Sequence, residues 1–149
     1  MKFKTVPVLI AALATASGCE PQKPLPLVGT WELISATSTE KDSTFSTFDP
    51  NRKMIKIINA THFAFLNHAV QPGKDSTAAA FSAGGGTYTL ADSTYTENLD
   101  YFVDKQWENH KFRFTVRISN DTLTQTGIEK LEKLGIDRII VEKYKRVIN

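Results

Sequence analysis

Short β-prone runs, each followed by turn residues, recur roughly every ten residues along most of the chain. Residues 111–118 show the pattern clearly, because phenylalanine, valine and isoleucine take every second position and charged or polar residues take the others. An alternation with a period of two is typical of a strand with one buried face. No alternation of strands with helices is visible, so the pattern predicts an all-β fold, an antiparallel barrel or sandwich.

Eight runs are the predicted strands, at residues 27–36, 53–58, 62–68, 84–92, 94–102, 111–118, 122–126 and 136–147. The polar residues 37–51 are a predicted long loop, and loops of that length often lie over a binding mouth. Residues 71–83 fit a flexible loop or a weak helical turn. Residues 129–135 fit a short helix closed by Gly135 or an extended hairpin arm.

Two glycine-containing stretches are informative. Gly29 stands two residues before Trp31, and a glycine there would let the tryptophan fold under a barrel as a floor plug. A tryptophan on an ordinary strand is the alternative. The three glycines at 84–86 precede a β-prone run rather than a helix, which favours a sharp barrel bend over a phosphate-binding loop.

The first 18 residues have the layout of a secretory signal peptide: two lysines, an apolar run too short to span a membrane, and then small residues. Cys19 follows directly and is the only cysteine of the chain. The stretch therefore resembles a bacterial lipoprotein signal, which implies cleavage before Cys19 and acylation of its thiol with chains such as palmitate. Ala16 departs from the leucine that this pattern prefers, and a plain signal peptide with an incidental cysteine is the alternative.

The resulting organisation is a signal peptide at 1–18, a lipidated cysteine and Pro-rich tether at 19–26, and one domain at 27–149. Cleavage would remove two of the 18 basic residues and none of the 16 acidic ones, leaving no net charge. That balance argues against a nucleic-acid partner. No run of 18 apolar residues could form a spanning helix. We expect a protein of the cell envelope, lipid-anchored at the outer membrane.

The last predicted strand carries arginines at 138 and 146, and with Gly29-Thr30-Trp31 it resembles the calycin pattern. In that pattern a C-terminal arginine lies across the N-terminal tryptophan and closes the barrel. Arg146 is the first candidate for this role and Arg138 the second. A guanidinium over an indole contributes roughly 0.5–2 kcal/mol.

Over residues 27–147 the chain resembles the small lipocalin-like lipoproteins of Bacteroidetes-type bacteria. The similarity rests on the Gly-Thr-Trp opening, Gly-Gly-Gly-Thr-Tyr-Thr-Leu at 84–90, Tyr-Thr-Glu-Asn-Leu-Asp-Tyr-Phe at 95–102 and the Glu-Lys-Tyr-Lys-Arg-Val closing strand. It implies an antiparallel up-and-down β-barrel of about eight strands. It implies no activity, because that family is largely uncharacterised.

The closing strand also resembles that of the fatty-acid-binding proteins, in which an arginine and a tyrosine two residues apart hold a carboxylate. The matching positions here are Glu142 and Tyr144. The tyrosine is kept, but an acid replaces the cation. Two anions in a low-dielectric cavity are costly, so a fatty carboxylate in that pose is disfavoured.

Ten residues are the candidate lining of the barrel: Phe63, Phe65, Tyr88, Tyr95, Glu97, Tyr101, Phe112, Phe114, Glu142 and Tyr144. They could fill the interior or surround one small ligand, since a barrel of about eight strands allows both. Glu97 faces either inward, where it needs Arg113, Arg117 or Tyr144 as a partner, or outward to solvent.

No recognisable motif for catalysis or metal binding is present. His62 and His68 lie roughly 20 Å apart along one strand and cannot share an ion, and His110 has no acid or cysteine at ligand spacing. No nucleophile–base motif can be assembled. We therefore expect no enzyme, no metal and no cofactor; a barrel enzyme using Glu97 with tyrosines is the weakest hypothesis.

The sequence supports two functional hypotheses. The first is an envelope lipoprotein whose barrel binds a small hydrophobic or amphipathic molecule. The alternative is a non-enzymatic accessory lipoprotein with a filled barrel, which binds a protein or glycan through Trp107 and residues 37–51. Neither the ligand nor a protein or glycan partner can be named from the sequence.

Overall fold

A computed structural model describes residues 26–70 and 81–148, most of them in one antiparallel sheet. Its strands are Gly29–Glu40 (β1), Ser43–Ser46 (β2), Arg52–Ile58 (β3), His62–Ala69 (β4), Phe81–Ala91 (β5), Thr94–Phe102 (β6), His110–Ser119 (β7), Thr122–Leu131 (β8) and Ile136–Arg146 (β9). Within these ranges no helix is both long and apolar enough to cross a membrane. The predicted signal peptide, Cys19 and most of the tether lie outside the described residues, as do residues 71–80.

The sheet closes on itself. From β3 to β9 each strand pairs with the next, and β1 pairs with both β3 and β9. Trp31, for example, stands opposite Lys56 on one neighbour and Arg146 on the other. The predicted all-β antiparallel barrel of eight strands is therefore confirmed, and β2 is one strand more.

The predicted loop at 37–51 is wrong over its first ten residues. β1 runs on to Glu40, turns at Lys41 with a φ of 54°, and returns as β2. All four residues of β2 are exposed, and the hydroxyls of Thr39 and Thr44 are 2.8 Å apart across the hairpin. β2, which is mainly serine and threonine, forms a strand without a buried face, so polarity alone did not reveal it.

The barrel has two ends that differ. The closed end holds the start of β1, with Gly29 and Trp31, and the end of β9, with Arg146. The open end holds the connections from β6 to β7 and from β8 to β9. A 3₁₀ turn, Lys105–Trp107, lies in the first connection, and Glu132–Leu134 lies in the second.

The second of these turns accounts for residues 129–135. β8 continues to Leu131, which corresponds to the extended arm, and the 3₁₀ turn ends at Gly135 with a φ of 66°. Both sequence interpretations were therefore partly right. The left-handed backbone explains the glycine, because residues with a Cβ rarely adopt it.

A register shift between β5 and β6 changes the face of one predicted lining residue. Gly85 pairs with Tyr101 and Gly86 with Leu99, so Asp100 is an extra residue in β6. Such a bulge reverses the alternation that follows. Tyr101 is consequently 70% exposed on the outside. The prediction that it lines the barrel is wrong, and Phe102 takes the inward position instead.

Candidate ligand-binding cavity

The closed end is sealed by the contact between the two chain ends. The guanidinium of Arg146 lies 4.0 Å from the centre of the Trp31 ring and donates hydrogen bonds to the carbonyls of Val28 and Pro26. The Trp31 indole is fully buried and donates to the carbonyl of Leu27 over 2.8 Å. A ligand therefore has no entry at this end.

Above this floor, the barrel encloses a cavity of about 330 Å³ that extends toward the open end. Its apolar walls are Met54, Phe65, Leu99, Phe102, Trp107, Phe112, Phe114 and Ile140, and its polar residues are Lys56, Asn67, Ser82, Glu97, Gln125, Glu129, Arg138, Glu142 and Tyr144. The volume is at the lower end of the range of small-molecule sites, about 300–1,000 Å³. The interior is thus neither filled nor purely apolar.

The lower part of the cavity contains a buried ion pair. Lys56 of β3 lies 2.9 Å from a carboxylate oxygen of Glu97 on β6 and donates over 3.0 Å to the side-chain oxygen of Gln125 on β8. All three residues are at most 7% exposed. The Lys56 ammonium also lies 5.3 Å from the centre of the Tyr144 ring. Three strands that are not neighbours in sequence are thereby joined through the interior.

Glu142 and Tyr144 form a second polar group on β9. The Tyr144 hydroxyl donates to Glu142 over 2.6 Å, and both side chains point into the barrel because they are two residues apart on one strand. Burial, and then the negative charge of Glu142, raise the pKa of Tyr144 well above its ordinary value. The hydroxyl therefore remains protonated and acts as a donor.

A third polar group lies nearer the rim. Arg138 forms an ion pair with Glu129 at 2.6 Å, and its guanidinium covers the Trp107 ring at 5.7 Å. Burial raises the pKa of Glu129, and this effect outweighs the opposing charge of Arg138. The arrangement brings Trp107, from the 3₁₀ turn, onto the cavity rim, where it also contacts Phe102 and Phe112.

Comparison with known proteins identifies a family but no activity. The profile of a family described as a domain of unknown function, DUF4488, matches residues 26–149. The chain belongs to the DUF4488 family. No curated protein matches the DUF4488 chain.

The predicted lining residues of the DUF4488 barrel fall into three groups. Six line the cavity: Phe65, Glu97, Phe112, Phe114, Glu142 and Tyr144. Phe63, Tyr88 and Tyr95 face inward but pack outside the cavity lining, and the Tyr88 hydroxyl donates to the carbonyl of Asn59. Only Tyr101 among the ten faces outward.

Tyr95 is the most enclosed of the tyrosines outside the cavity lining. Its side chain is fully buried, and its hydroxyl has no hydrogen-bond partner within the described residues. Burial, followed by the charge of nearby Glu97, raises its pKa. Tyr95 therefore stays neutral and contributes packing, with its ring 5.1 Å from that of Tyr88.

Sequence reasoning identified Glu97 but not its partners. Of its three proposed partners, Arg113 and Arg117 lie on the exposed face of β7 and the Tyr144 hydroxyl donates to Glu142, so that prediction is wrong. The partners are Lys56 and Gln125. Lys56 faces inward because it stands opposite Phe65, and paired residues of an antiparallel sheet share a face. The turn predicted at 59–61 would have set Lys56 opposite Ala64 instead.

The site's chemistry is that of fixed ion pairs and hydrogen bonds. Across residues 26–70 and 81–148, no three histidine, cysteine or acidic side chains are grouped to hold a metal. His62 and His68 are exposed. The His110 ring packs near Phe112, with Nδ1 3.1 Å from the Trp107 carbonyl oxygen. Lys56 holds the Glu97 carboxylate in place, and a fixed carboxylate can orient a bound molecule.

Proposed function

We propose that this lipocalin-like barrel binds one small amphipathic molecule in the cavity and catalyses no reaction. The observation that carries the proposal is the cavity of about 330 Å³ between a sealed floor and an aromatic rim. A concave site that combines aromatic walls with fixed polar groups is typical of small-molecule binding, and here nine of the 17 described lining residues are polar. The fixed Lys56–Glu97 pair supports binding over proton transfer.

The lining favours an amphipathic ligand over a purely apolar one. Phe112 and Ile140 offer apolar surface. The side-chain nitrogen of Gln125 and the hydroxyl of Ser82 also line the cavity and, within the described part of the chain, make no hydrogen bond. A ligand with both an apolar body and a polar group would use both kinds of surface.

The alternative, a filled barrel that contacts a protein or glycan through its loops, has less support. This alternative assumes that side chains fill the interior, whereas the barrel contains a cavity. Trp107, one of its predicted contact residues, faces the cavity rim, and residues 37–46 form strand structure. Exposed hydrophobic side chains on the outside favour a contact surface, among them Tyr101 at 70% and Val103 at 63%.

A cavity-filling substitution tests the proposal. Ile140 is buried in the lining, whereas its neighbour Ile139 is 45% exposed on the outside. We expect the full-length protein to bind the neutral probe 3-phenylpropan-1-ol saturably, with amide NMR shifts at Phe112, Phe114 and Gln125. Ile140→Trp should abolish these shifts and Ile139→Trp should preserve them. Equal binding of the probe by both variants contradicts the proposal.

The proposed location is the cell envelope, through a lipid anchor on Cys19. Its support is the sequence alone, since Cys19 lies outside the described residues. The charge balance of the predicted mature chain agrees with a partner that is neither nucleic acid nor a strongly acidic surface.

A further inference from the structure

The charged residues that line the cavity do not balance. Among the described residues, three carboxylates, Glu97, Glu129 and Glu142, face two cations, Lys56 and Arg138. In a cavity of low dielectric, the electrostatic interactions of an uncompensated charge are stronger than in water. The excess of negative charge therefore indicates which charge a ligand would carry.

Two of the three carboxylates already have a counterion. Glu97 is 2.9 Å from Lys56, and Glu129 is 2.6 Å from Arg138. Glu142 differs, because its only hydrogen-bond partner among the described residues is the neutral Tyr144 hydroxyl, which contacts one of its two oxygens. The second oxygen of Glu142 is thus available to a donor within the cavity.

The negative charge of Glu142 also acts on its neighbours. After burial, the charge of Glu142 is the next cause that raises the pKa of Tyr144, and it also contributes to the raised pKa of Glu129. A ligand carboxylate would add to the same repulsion, whereas a cation would relieve it.

The apolar part of the lining suits a cation as well. Aromatic rings attract cations to their faces, and five rings besides that of Tyr144 line the cavity: Phe65, Phe102, Trp107, Phe112 and Phe114. The protein already uses this interaction twice at the cavity, with Lys56 near the Tyr144 ring and Arg138 over Trp107.

We propose that the ligand is an amphipathic amine, whose ammonium group is bound by Glu142 and whose apolar body packs among the aromatic rings. The proposal rests on the binding function above and adds the charge of the ligand. It assigns Glu142 as the residue that determines specificity, with Tyr144 holding its carboxylate in place.

Three probes with one body and different polar groups test the proposal at neutral pH: 3-phenylpropylamine, 3-phenylpropan-1-ol and 3-phenylpropanoate. We expect the amine to bind the full-length protein about ten-fold more tightly than the alcohol, as charge-assisted hydrogen bonds are roughly twice as strong as neutral ones. The carboxylate should bind more weakly than the alcohol. NMR titration measures all three dissociation constants.

Glu142→Gln should remove the preference for the amine and leave the affinity for the alcohol unchanged. Glu40→Gln removes the same charge from an exposed site outside the cavity, and should change neither. If the glutamine variant does not fold, Glu142→Asp tests the assignment, because its shorter side chain withdraws the carboxylate and should reduce the preference for the amine without changing the affinity for the alcohol.

The outcomes separate the two proposals. Equal binding of amine and alcohol by the wild-type protein overturns the inference and leaves the binding function intact, and so does tighter binding of the carboxylate. A preference for the amine that survives Glu142→Gln overturns the role of Glu142. Failure of all three probes to bind overturns the binding function as well.

Discussion

Lys56 carries a charge into the interior of the barrel, where it is 3% exposed, and its position depends on the acid opposite. A buried ammonium is tolerated only when hydrogen bonds and an opposite charge replace its water. Glu97 and Gln125 supply both, at 2.9 and 3.0 Å. The pair therefore acts as a specific link between β3, β6 and β8 rather than as a general source of stability.

Removing one partner of this pair should be more harmful than removing both. Lys56→Met leaves Glu97 buried without a counterion, and we expect it to lower the free energy of unfolding by about 3–5 kcal/mol. The double variant Lys56→Met/Glu97→Leu should recover most of that loss, because no unpaired charge remains. Urea denaturation measures both variants. A double variant that is no more stable than the single one would show that the pair does not act as described.

At the scale of the strands, the alternation of residues allowed most of the fold to be predicted. All eight predicted runs are strands, but the predicted turn at 59–61 would pair Ile58 with His62, whereas the observed register pairs Ile58 with Phe63. Asn59 stabilises that turn by accepting hydrogen bonds from the amides of Thr61 and His62. The observed register sets Lys56 opposite Phe65 and therefore inward, whereas the predicted turn would have set it opposite Ala64.

The rest of the site could not be read from local patterns. The extra residue Asp100 reverses the faces of β6 beyond it, and nothing in the alternation of Tyr95, Glu97 and Leu99 announces the change. The partners Gln125 and Lys56 meet across the barrel, so their contact depends on closure of the whole sheet. The cavity likewise depends on how side chains from several strands share the interior.

Gly29 is the first residue of β1 and lies at the closed end of the barrel. Its replacement should destabilise the packing of that end. Its φ is 148°, and a Cβ there would lie 2.5 Å from the Arg146 guanidinium. We expect Gly29→Ala to lower the free energy of unfolding by roughly 1–3 kcal/mol, because the backbone is strained and Arg146 is displaced from Trp31.

Val28→Ala is the matched control, since Val28 is 55% exposed next to Gly29, and its effect should stay within about 0.5 kcal/mol. Thermal and urea unfolding followed by near-ultraviolet circular dichroism, which reports on Trp31, compare the two variants. If Gly29→Ala is as stable as the wild-type protein, the closed end does not require glycine.

For the molecule as a whole, the two ends of the barrel differ in what they are proposed to do. The chain enters at the closed end, where Pro26 accepts a hydrogen bond from Arg146. The cavity opens at the other end, beside Trp107 and Arg138. A lipid on Cys19 would thus attach the protein through its sealed end, and ligands would reach the cavity without passing through the anchor.

Separating the anchor from the barrel tests this division. We expect Cys19→Ser to abolish incorporation of radiolabelled palmitate in a bacterial host and to move the protein from the membrane fraction to the soluble fraction, since stable anchoring requires the acyl chains. The affinity for 3-phenylpropylamine should remain unchanged, because every lining residue lies at position 54 or beyond. Incorporation of palmitate by the Cys19→Ser variant would refute the anchor. Loss of amine binding by a folded soluble variant would instead show that the anchored segment contributes to the site.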